Sequence, residues 1–238
     1  MLIQSIRMKL KYYGQKKFIH DLQTQEFYDA YNKFIFADDS KVFNKLASKF
    51  FFLGLAHKIP GEIVELGVFK GSGMAGWLKA ARSMQSTRKV IGFDFFNQKA
   101  LVDSIETTDA KTMESLFENR NFNPSGYKAT LISVLNQMNF QNFELKEGDV
   151  FETIPKYLAE NPGFRISIAN FDLDTEQPTY FCLNELWPRI VKNGVLIFDE
   201  YGINEWTESN AVDKFIKEKG LDIIRSNYYA PSAYIVKK

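Results

Sequence analysis

Short apolar segments alternate with helix-forming segments from residue 60 to the end of the chain, and this alternation constrains the fold more than any other feature. Seven segments have the length and composition of strands: 63–67, 89–94, 143–146, 165–171, 195–198, 221–224 and 233–236. Helices are predicted at 72–84, at 178–192 with Asn193-Gly194 as its stop signal, and at 208–219. Because parallel neighbours must be joined by a crossover, the pattern predicts an α/β fold with a mostly parallel sheet.

Composition narrows the class of protein. The 238 residues suit one domain with an appended segment, and 45% hydrophobic residues argue against wholesale disorder. With 30 Lys and Arg against 29 Asp and Glu, the chain lacks the positive excess of a general nucleic-acid binder. The single Cys182 cannot form an internal disulfide, no run of about 18 apolar residues predicts a membrane span, and the N-terminus is a poor signal peptide. We therefore predict a cytoplasmic protein.

The first quarter of the chain differs from the rest. Residues 1–58 predict a helical N-terminal arm or lid, and residues 59–238 the main domain. Apolar residues spaced by three and four predict one face of a helix, made of Phe43, Leu46, Ala47, Phe50 and Phe51. For residues 1–20, which hold four lysines, a solvated arm is favoured over a basic amphipathic surface helix. Residues 97–141 predict a helical insertion over the active face.

Acidic residues end four of the predicted strands. They are Glu65, Asp94, Asp172 with Asp174, and Asp199 with Glu200. In parallel sheets, ligands bind beyond the carboxyl ends of the strands, so these side chains meet at the functional edge. Crowded carboxylates need a cation or raised pKa values, and Mg²⁺ prefers such oxygen ligands, although acids at these positions also serve as caps. Only His20 and His57 are present, which argues against a zinc site or a histidine base.

A glycine-rich turn follows the first predicted strand. Gly67, Gly71 and Gly73 have the spacing G-x-x-x-G-x-G, which departs from the dinucleotide pattern G-x-G-x-x-G. Such a turn lets a ligand approach the backbone and leads into a helix whose N-terminus offers free N–H groups. Asp94 follows about twenty residues later, where an acid commonly accepts hydrogen bonds from ribose hydroxyls or caps a helix. Together the two features favour a nucleoside cofactor.

Three motifs together resemble the macrocin O-methyltransferase family. They are P-G-x-x-V-E-x-G-V-x-x-G at 60–71, D-x-D at 172–174 and D-E-Y-G at 199–202, and the resemblance covers roughly residues 55–220. It implies the Rossmann-like class I fold of S-adenosylmethionine (SAM) methyltransferases, with an antiparallel last strand. It also implies a homodimeric enzyme that methylates sugar hydroxyls of natural products with the help of a divalent metal such as Mg²⁺.

The resemblance also implies roles for individual residues. Glu65, Gly67, Val68, Gly71 and Ser72 would surround the methionine part of SAM, Asp94 would bind the ribose, and Gly148 and Asp149 would lie beside the adenine. Asp172, Asp199 and Glu200 would hold the metal, with Asp174 as a less certain second acid of its motif. Because an alcohol must lose a proton to attack a methyl group, we expect Asp172 to act as the catalytic proton acceptor.

The sequence differs from the usual family pattern at two places, and these differences bear on the identity of the acceptor substrate. Thr175-Glu176-Gln177 replaces the aromatic residue and Glu-Ser-Thr that usually follow D-x-D, and Glu200 stands where a second Asp is common. The leading hypothesis is a SAM- and metal-dependent O-methyltransferase acting on a sugar or a glycosylated small molecule. Alternatives are a catechol-type O-methyltransferase and a non-catalytic SAM-binding module, while the glycine spacing disfavours an NAD-dependent enzyme.

Overall fold

The computed structural model describes residues 22–97, 101–103, 109–120 and 126–238. The prediction for residues 1–20 lies outside this described part, as do three short stretches of the predicted 97–141 insertion. The chain divides into two compact units, of which one ends at Phe43 and the other spans Asn44–Lys238. The second unit contains the whole sheet and begins inside a helix, earlier than the domain boundary predicted at residue 59.

From residue 22 onward, the described N-terminal region contains α1 (Leu22–Ile35) and α2 (Ser40–Leu55). The buried side of α2 is formed by Ser48, Lys49, Phe52 and Leu53. On the face that the sequence predicts, Leu46 is 39% and Phe50 is 41% exposed. The predicted face and the buried face are adjacent on the helix and have the same spacing. The buried face is hard to recognise in the sequence because it contains the polar residues Ser48 and Lys49.

The sheet contains seven strands. They are β1 (Glu62–Leu66), β2 (Val90–Asp94), β3 (Phe143–Glu147), β4 (Ile166–Phe171), β5 (Ile190–Phe198), β6 (Ile224–Arg225) and β7 (Ala233–Val236). Their order is β3-β2-β1-β4-β5-β7-β6, and strands β1 to β5 are parallel. Strand β7 runs antiparallel to both β5 and β6. The predicted mostly parallel sheet with an antiparallel last strand is confirmed.

The described residues of this unit include six further helices with defined bounds. They are α3 (Ser72–Ser83), α4 (Asp109–Arg120), α5 (Tyr127–Gln137), α6 (Val150–Glu160), α7 (Glu176–Leu186) and α8 (Glu208–Lys219). The helix predicted to reach residue 192 ends at Leu186, because a 3₁₀ turn containing Pro188 follows it and proline has no backbone N–H to continue the helix. Asn193, predicted as part of a helix stop, lies within β5 with a φ of 64°.

The core has two parts, one on each face of the sheet. Alternate residues of β1 belong to different parts: Ile63 packs in the cluster that contains Phe52 of α2 and Trp77 of α3, whereas Val64 packs in the cluster that contains Leu183 of α7. This follows from the two-residue period of a strand. The sheet therefore lies between two helical layers, and the carboxyl ends of β1, β2, β4 and β5 share one edge. None of the helices in the described ranges is long and apolar enough to cross a membrane.

Candidate active site

The turn after β1 has the backbone that its glycines predict. Gly67 has a φ of 85°, and a Cβ added there would lie 1.9 Å from the carbonyl oxygen of Asp172. Gly71 has a φ of 81° and directly precedes α3, which begins at Ser72. Only glycine allows this close approach of the two loops, since a side chain would collide with backbone. The turn thus brings the N-terminus of α3 to the carboxyl edge of the sheet, where the first N–H groups of a helix have no partner within the helix.

Asp94 braces this turn from the end of β2. Its Oδ2 accepts hydrogen bonds from the backbone N–H groups of Val68 and Phe69, both at 2.8 Å, and its Oδ1 accepts one from Phe96 at 2.8 Å. Burial raises the pKa of Asp94, and the three hydrogen bonds oppose that shift. A carboxylate has about four acceptor positions, so these contacts leave room for one further donor. Asp94 thus lies beside Val68, and its role in binding the ribose stays a prediction.

Glu65 is the buried acid of β1 and is only 2% exposed. Burial raises its pKa to about 8, and the positive charge of Lys49 opposes the shift. No described residue forms a hydrogen bond with its Oε2. Lys49 is itself held on α2, with its Nζ 3.4 Å from the carbonyl oxygen of Lys45 and 4.9 Å from the centroid of the Trp77 ring. A buried carboxylate with an unused oxygen therefore faces the glycine turn.

The predicted adenine side begins at the end of β3, which pairs with β2. The N–H of Gly148 donates to the carbonyl oxygen of Asp94 at 3.0 Å, which joins the two strand ends. Asp149 caps α6, since its Oδ1 accepts a hydrogen bond from the N–H of Phe151 at 2.9 Å. The capping role was not predicted, and it occupies one of the two carboxylate oxygens.

The acids after β4 and β5 form a compact cluster. One carboxylate oxygen from each of Asp172, Asp174 and Glu200 lies within 4.8 Å of the others. Burial and then the negative charge of Asp199 raise the pKa of Asp172 to about 7. Asp174 adopts a left-handed φ of 65°, which is uncommon outside glycine and turns its side chain toward the same edge. Burial and then the charge of Asp172 raise the pKa of Asp174 well above its usual value.

Asp199 faces a lysine that the sequence did not single out. Its Oδ2 lies 2.6 Å from Nζ of Lys45, and the same Nζ lies 3.4 Å from Oδ2 of Asp172. Burial opposes the charge of Lys45, but the attraction of Asp172 and Asp199 raises its pKa above the usual range. Lys45 and Lys49 are one helical turn apart on α2, and each meets an acid at the carboxyl edge of the sheet. In the sequence, the only sign that these two lysines share one face of the helix is their spacing of four residues, close to Phe52.

Glu208 is a further acid that sequence reasoning missed. It is fully buried at the start of α8, and its Oε1 accepts a hydrogen bond from the backbone N–H of Glu200 at 3.1 Å. Its own N–H donates to the carbonyl oxygen of Asp174 at 3.2 Å. Burial and then the charge of Asp174 raise its pKa well above the usual value. Glu208 thus links the two loops that carry the acid cluster. From the sequence, an acid at the start of a helix with many charged residues is expected to be exposed to solvent.

These residues fit both SAM and a divalent cation. The glycine turn, the N-terminus of α3 and the carboxylates of Glu65 and Asp94 offer partners for the charged and hydroxylated parts of SAM. In the cluster, Lys45 supplies one positive charge against the carboxylates of Asp172, Asp174, Asp199 and Glu200. Such a surplus of hard oxygen donors is the chemistry that Mg²⁺ prefers.

The comparison with protein families gives one clear match. The model of the family described as "Methyltransferase domain" matches residues 64–201, which is more than half of the chain. The match runs from β1 to the acids after β5, so it includes the glycine turn, Asp94 and the acid cluster. No curated protein matches the sequence at a significant level.

Solved structures are similar over nearly the whole chain. A crystal structure of CalS11, described as a calicheamicin methyltransferase, is 28% identical with a TM-score of 0.70, and the match covers 98% of this chain and 91% of that chain. An apo structure of CalS11, described as a TDP-rhamnose 3'-O-methyltransferase, is 27% identical with a TM-score of 0.60 over 80% of this chain and 77% of that one. The O-methyltransferase NovP, 18% identical with a TM-score of 0.64 over 82% and 80% of the two chains, supports the fold. The sequence resemblance and the predicted class I fold are confirmed, and the chain belongs to the methyltransferase domain family as a SAM-dependent enzyme.

Proposed function

We propose that this enzyme is a divalent-metal-dependent O-methyltransferase that transfers the methyl group of SAM to a hydroxyl of a sugar or a glycosylated small molecule. One observation carries the proposal: the glycine turn after β1 and the loop that carries the acid cluster are in contact. Gly67 has no space for a Cβ because the carbonyl oxygen of Asp172 would lie 1.9 Å away, and the N–H of Asp172 donates to the carbonyl oxygen of Leu66 at 2.9 Å. A methyl donor at the turn and an acceptor oxygen at the cluster would therefore be neighbours.

For the cofactor site, we propose the residues predicted from the sequence. The methionine part of SAM would lie against Glu65, Gly67, Val68, Gly71 and Ser72, the ribose against Asp94, and the adenine beside Gly148 and Asp149. The carboxylate of Glu65 suits the ammonium group of the methionine part, and the N–H groups at the start of α3 suit its carboxylate. SAM supplies a methyl group on a positively charged sulfur, which leaves as a neutral thioether.

The ligands predicted from the sequence are Asp172, Asp199 and Glu200. In the structure, the carboxylate oxygens that lie within 4.8 Å of one another belong to Asp172, Asp174 and Glu200, so we include Asp174 in the proposed cation site. When bound, the cation lowers the pKa of an acceptor hydroxyl and fixes its oxygen. Asp172 accepts the proton of that hydroxyl at a carboxylate oxygen while the new oxygen–carbon bond forms and the carbon–sulfur bond breaks.

The type of acceptor rests on similarity together with the site. CalS11 is described as acting on TDP-rhamnose, and its 28% identity extends over 98% of the present chain. A divalent cation can bind two neighbouring hydroxyl oxygens, an arrangement that sugars commonly offer. We therefore propose a sugar or glycoside acceptor.

A mass-spectrometric assay tests this function. The purified enzyme is incubated with SAM and a panel of TDP-deoxysugars, glycosides and catechols, either with Mg²⁺ or with EDTA. We expect a singly methylated sugar or glycoside that forms with Mg²⁺ and is lost with EDTA. Methylation of catechols alone would overturn the acceptor class, and full activity in EDTA would overturn the metal dependence.

The assembly and cellular location stay predictions from the sequence. A homodimer in the cytoplasm is expected, and light scattering coupled to size-exclusion chromatography measures the assembly directly.

A further inference from the structure

Lys45 contacts two of the carboxylates that are proposed to bind the metal ion. Its Nζ lies between Oδ2 of Asp199 at 2.6 Å and Oδ2 of Asp172 at 3.4 Å, and both residues are proposed metal ligands. The Asp199 side chain is only 4% exposed, whereas that of Lys45 is 34% exposed. The lysine thus enters the cluster from the solvent side and pairs with a buried acid.

We propose that Lys45 is a built-in counter-ion of this site, whose ammonium group pairs with Asp172 and Asp199 until a divalent cation replaces it. The inference rests on the cation site of the proposed function. The inference also gives a role to α2, which lies outside the motifs of the methyltransferase domain: through Lys45, this helix lowers the affinity of the site for the metal.

Competition follows from the shared oxygen. Divalent cations bind carboxylate oxygens at about 2.0–2.6 Å, so a cation on Oδ2 of Asp199 would lie next to the ammonium group now 2.6 Å from the same atom. Like charges at that separation repel strongly in a partly buried site. Either the lysine leaves or the metal binds less tightly, and in both cases the positive charge of Lys45 opposes metal binding.

The two lysines of α2 differ in their freedom to move. Lys49 is fixed, because it packs over the ring of Trp77 and a Cβ added at Gly76 would lie 2.8 Å from its Cδ. Lys45 reaches the cluster from a partly exposed position on a flexible four-carbon stem. Lys45 can therefore swing toward solvent while Lys49 stays beside Glu65. The movable lysine is the one that meets the metal ligands.

Binding of Mn²⁺, followed by electron paramagnetic resonance of the free ion, tests the proposal without an activity measurement. The full-length wild type is compared with Lys45→Met, Lys45→Arg and Lys192→Met. Lys192 lies exposed in β5, so its substitution removes the same charge away from the cluster. We expect Lys45→Met to bind Mn²⁺ about tenfold more tightly, since couplings between two ligands are typically 5- to 150-fold. Lys45→Arg, which keeps the charge, should not bind more tightly than the wild type, and Lys192→Met should match the wild type.

The outcomes separate this inference from the proposed function. Unchanged or weaker Mn²⁺ binding by Lys45→Met, with clear binding by the wild type, would overturn the counter-ion role and leave the metal site standing. Equally tight binding by Lys45→Met and Lys45→Arg would also overturn it. If neither the wild type nor any variant binds Mn²⁺, both the cation site and the inference are wrong. Circular dichroism of each variant confirms folding, and Lys45→Gln, which also removes the charge and should bind Mn²⁺ more tightly, replaces Lys45→Met if that variant does not fold.

Discussion

A Cβ added at Gly73 would lie 1.7 Å from Oε1 of Glu65, so the first turn of α3 and the end of β1 fit together only because residue 73 is glycine. The contact fixes the buried carboxylate beside the N-terminus of α3. The carboxylate of Glu65 can bind an ammonium group, and the N–H groups of α3 can bind a carboxylate. Because the two lie side by side, they suit the amino-acid part of SAM, which carries both groups.

Substitution Gly73→Ala should displace Glu65 and weaken SAM binding about tenfold or more. Loss of a hydrogen bond to a charged group costs about 1.5–3 kcal/mol, and about 1.4 kcal/mol corresponds to tenfold in affinity. Isothermal titration calorimetry measures the change. Gly54→Ala is the matched control, because Gly54 is also helical and a Cβ there meets nothing within 4 Å. Equal affinities of Gly73→Ala and the wild type would refute the role of Glu65.

Substitution Asp94→Asn should also lower SAM affinity, by about tenfold or more. The amide keeps the size of the side chain but loses one acceptor oxygen, so the N–H groups of Val68, Phe69 and Phe96 and the ribose would compete for fewer positions. Equilibrium dialysis with labelled SAM provides the affinity. Asp222→Asn, at an exposed site paired with Lys238, controls for the lost charge. Unchanged affinity in Asp94→Asn would show that the ribose binds elsewhere.

Glu208 should be needed for its hydrogen bond and not for its charge. Glu208→Ala leaves the buried N–H of Glu200 without this acceptor, at a cost of about 1–3 kcal/mol in the free energy of unfolding. Glu208→Gln keeps an oxygen for that N–H and should remain close to the wild type. Urea denaturation measures both variants, and a Glu208→Gln protein as unstable as Glu208→Ala would contradict this explanation.

Asp199 should be required for turnover and dispensable for SAM. Asp199→Ala removes a proposed metal ligand that lies after β5, whereas the glycine turn follows β1 and Asp94 is the last residue of β2. We expect methyl transfer to be abolished while SAM affinity changes little. Product formation at the wild-type rate by Asp199→Ala, in the mass-spectrometric assay, would reject the metal assignment.

The sheet and its acidic edge could be predicted because their signals are local. Apolar strands such as 195–198, the glycines at 67 and 71, and the acids that follow the strands are all visible within a few residues. The parallel order then brings the strand ends together, as it does for Asp172 and Glu200.

The remaining parts of the site depend on packing between distant segments. The spacing of four between Lys45 and Lys49 does not by itself identify the face of α2 that meets the sheet, since the exposed Leu46 and Phe50 have the same spacing as the buried Ser48 and Phe52. Glu208 is buried only because α8 starts beneath the loop of Glu200. Such positions are set by tertiary contacts, which overrule the local pattern.

Calorimetry on EDTA-treated protein tests the central claim most directly. SAM is titrated first, and Mg²⁺ is then titrated into the SAM-loaded wild type and into Asp172→Asn. The account predicts saturable binding of one SAM per chain, followed by Mg²⁺ binding that the wild type shows and Asp172→Asn loses. Absence of SAM binding, or Mg²⁺ binding that is unchanged in Asp172→Asn, would contradict it.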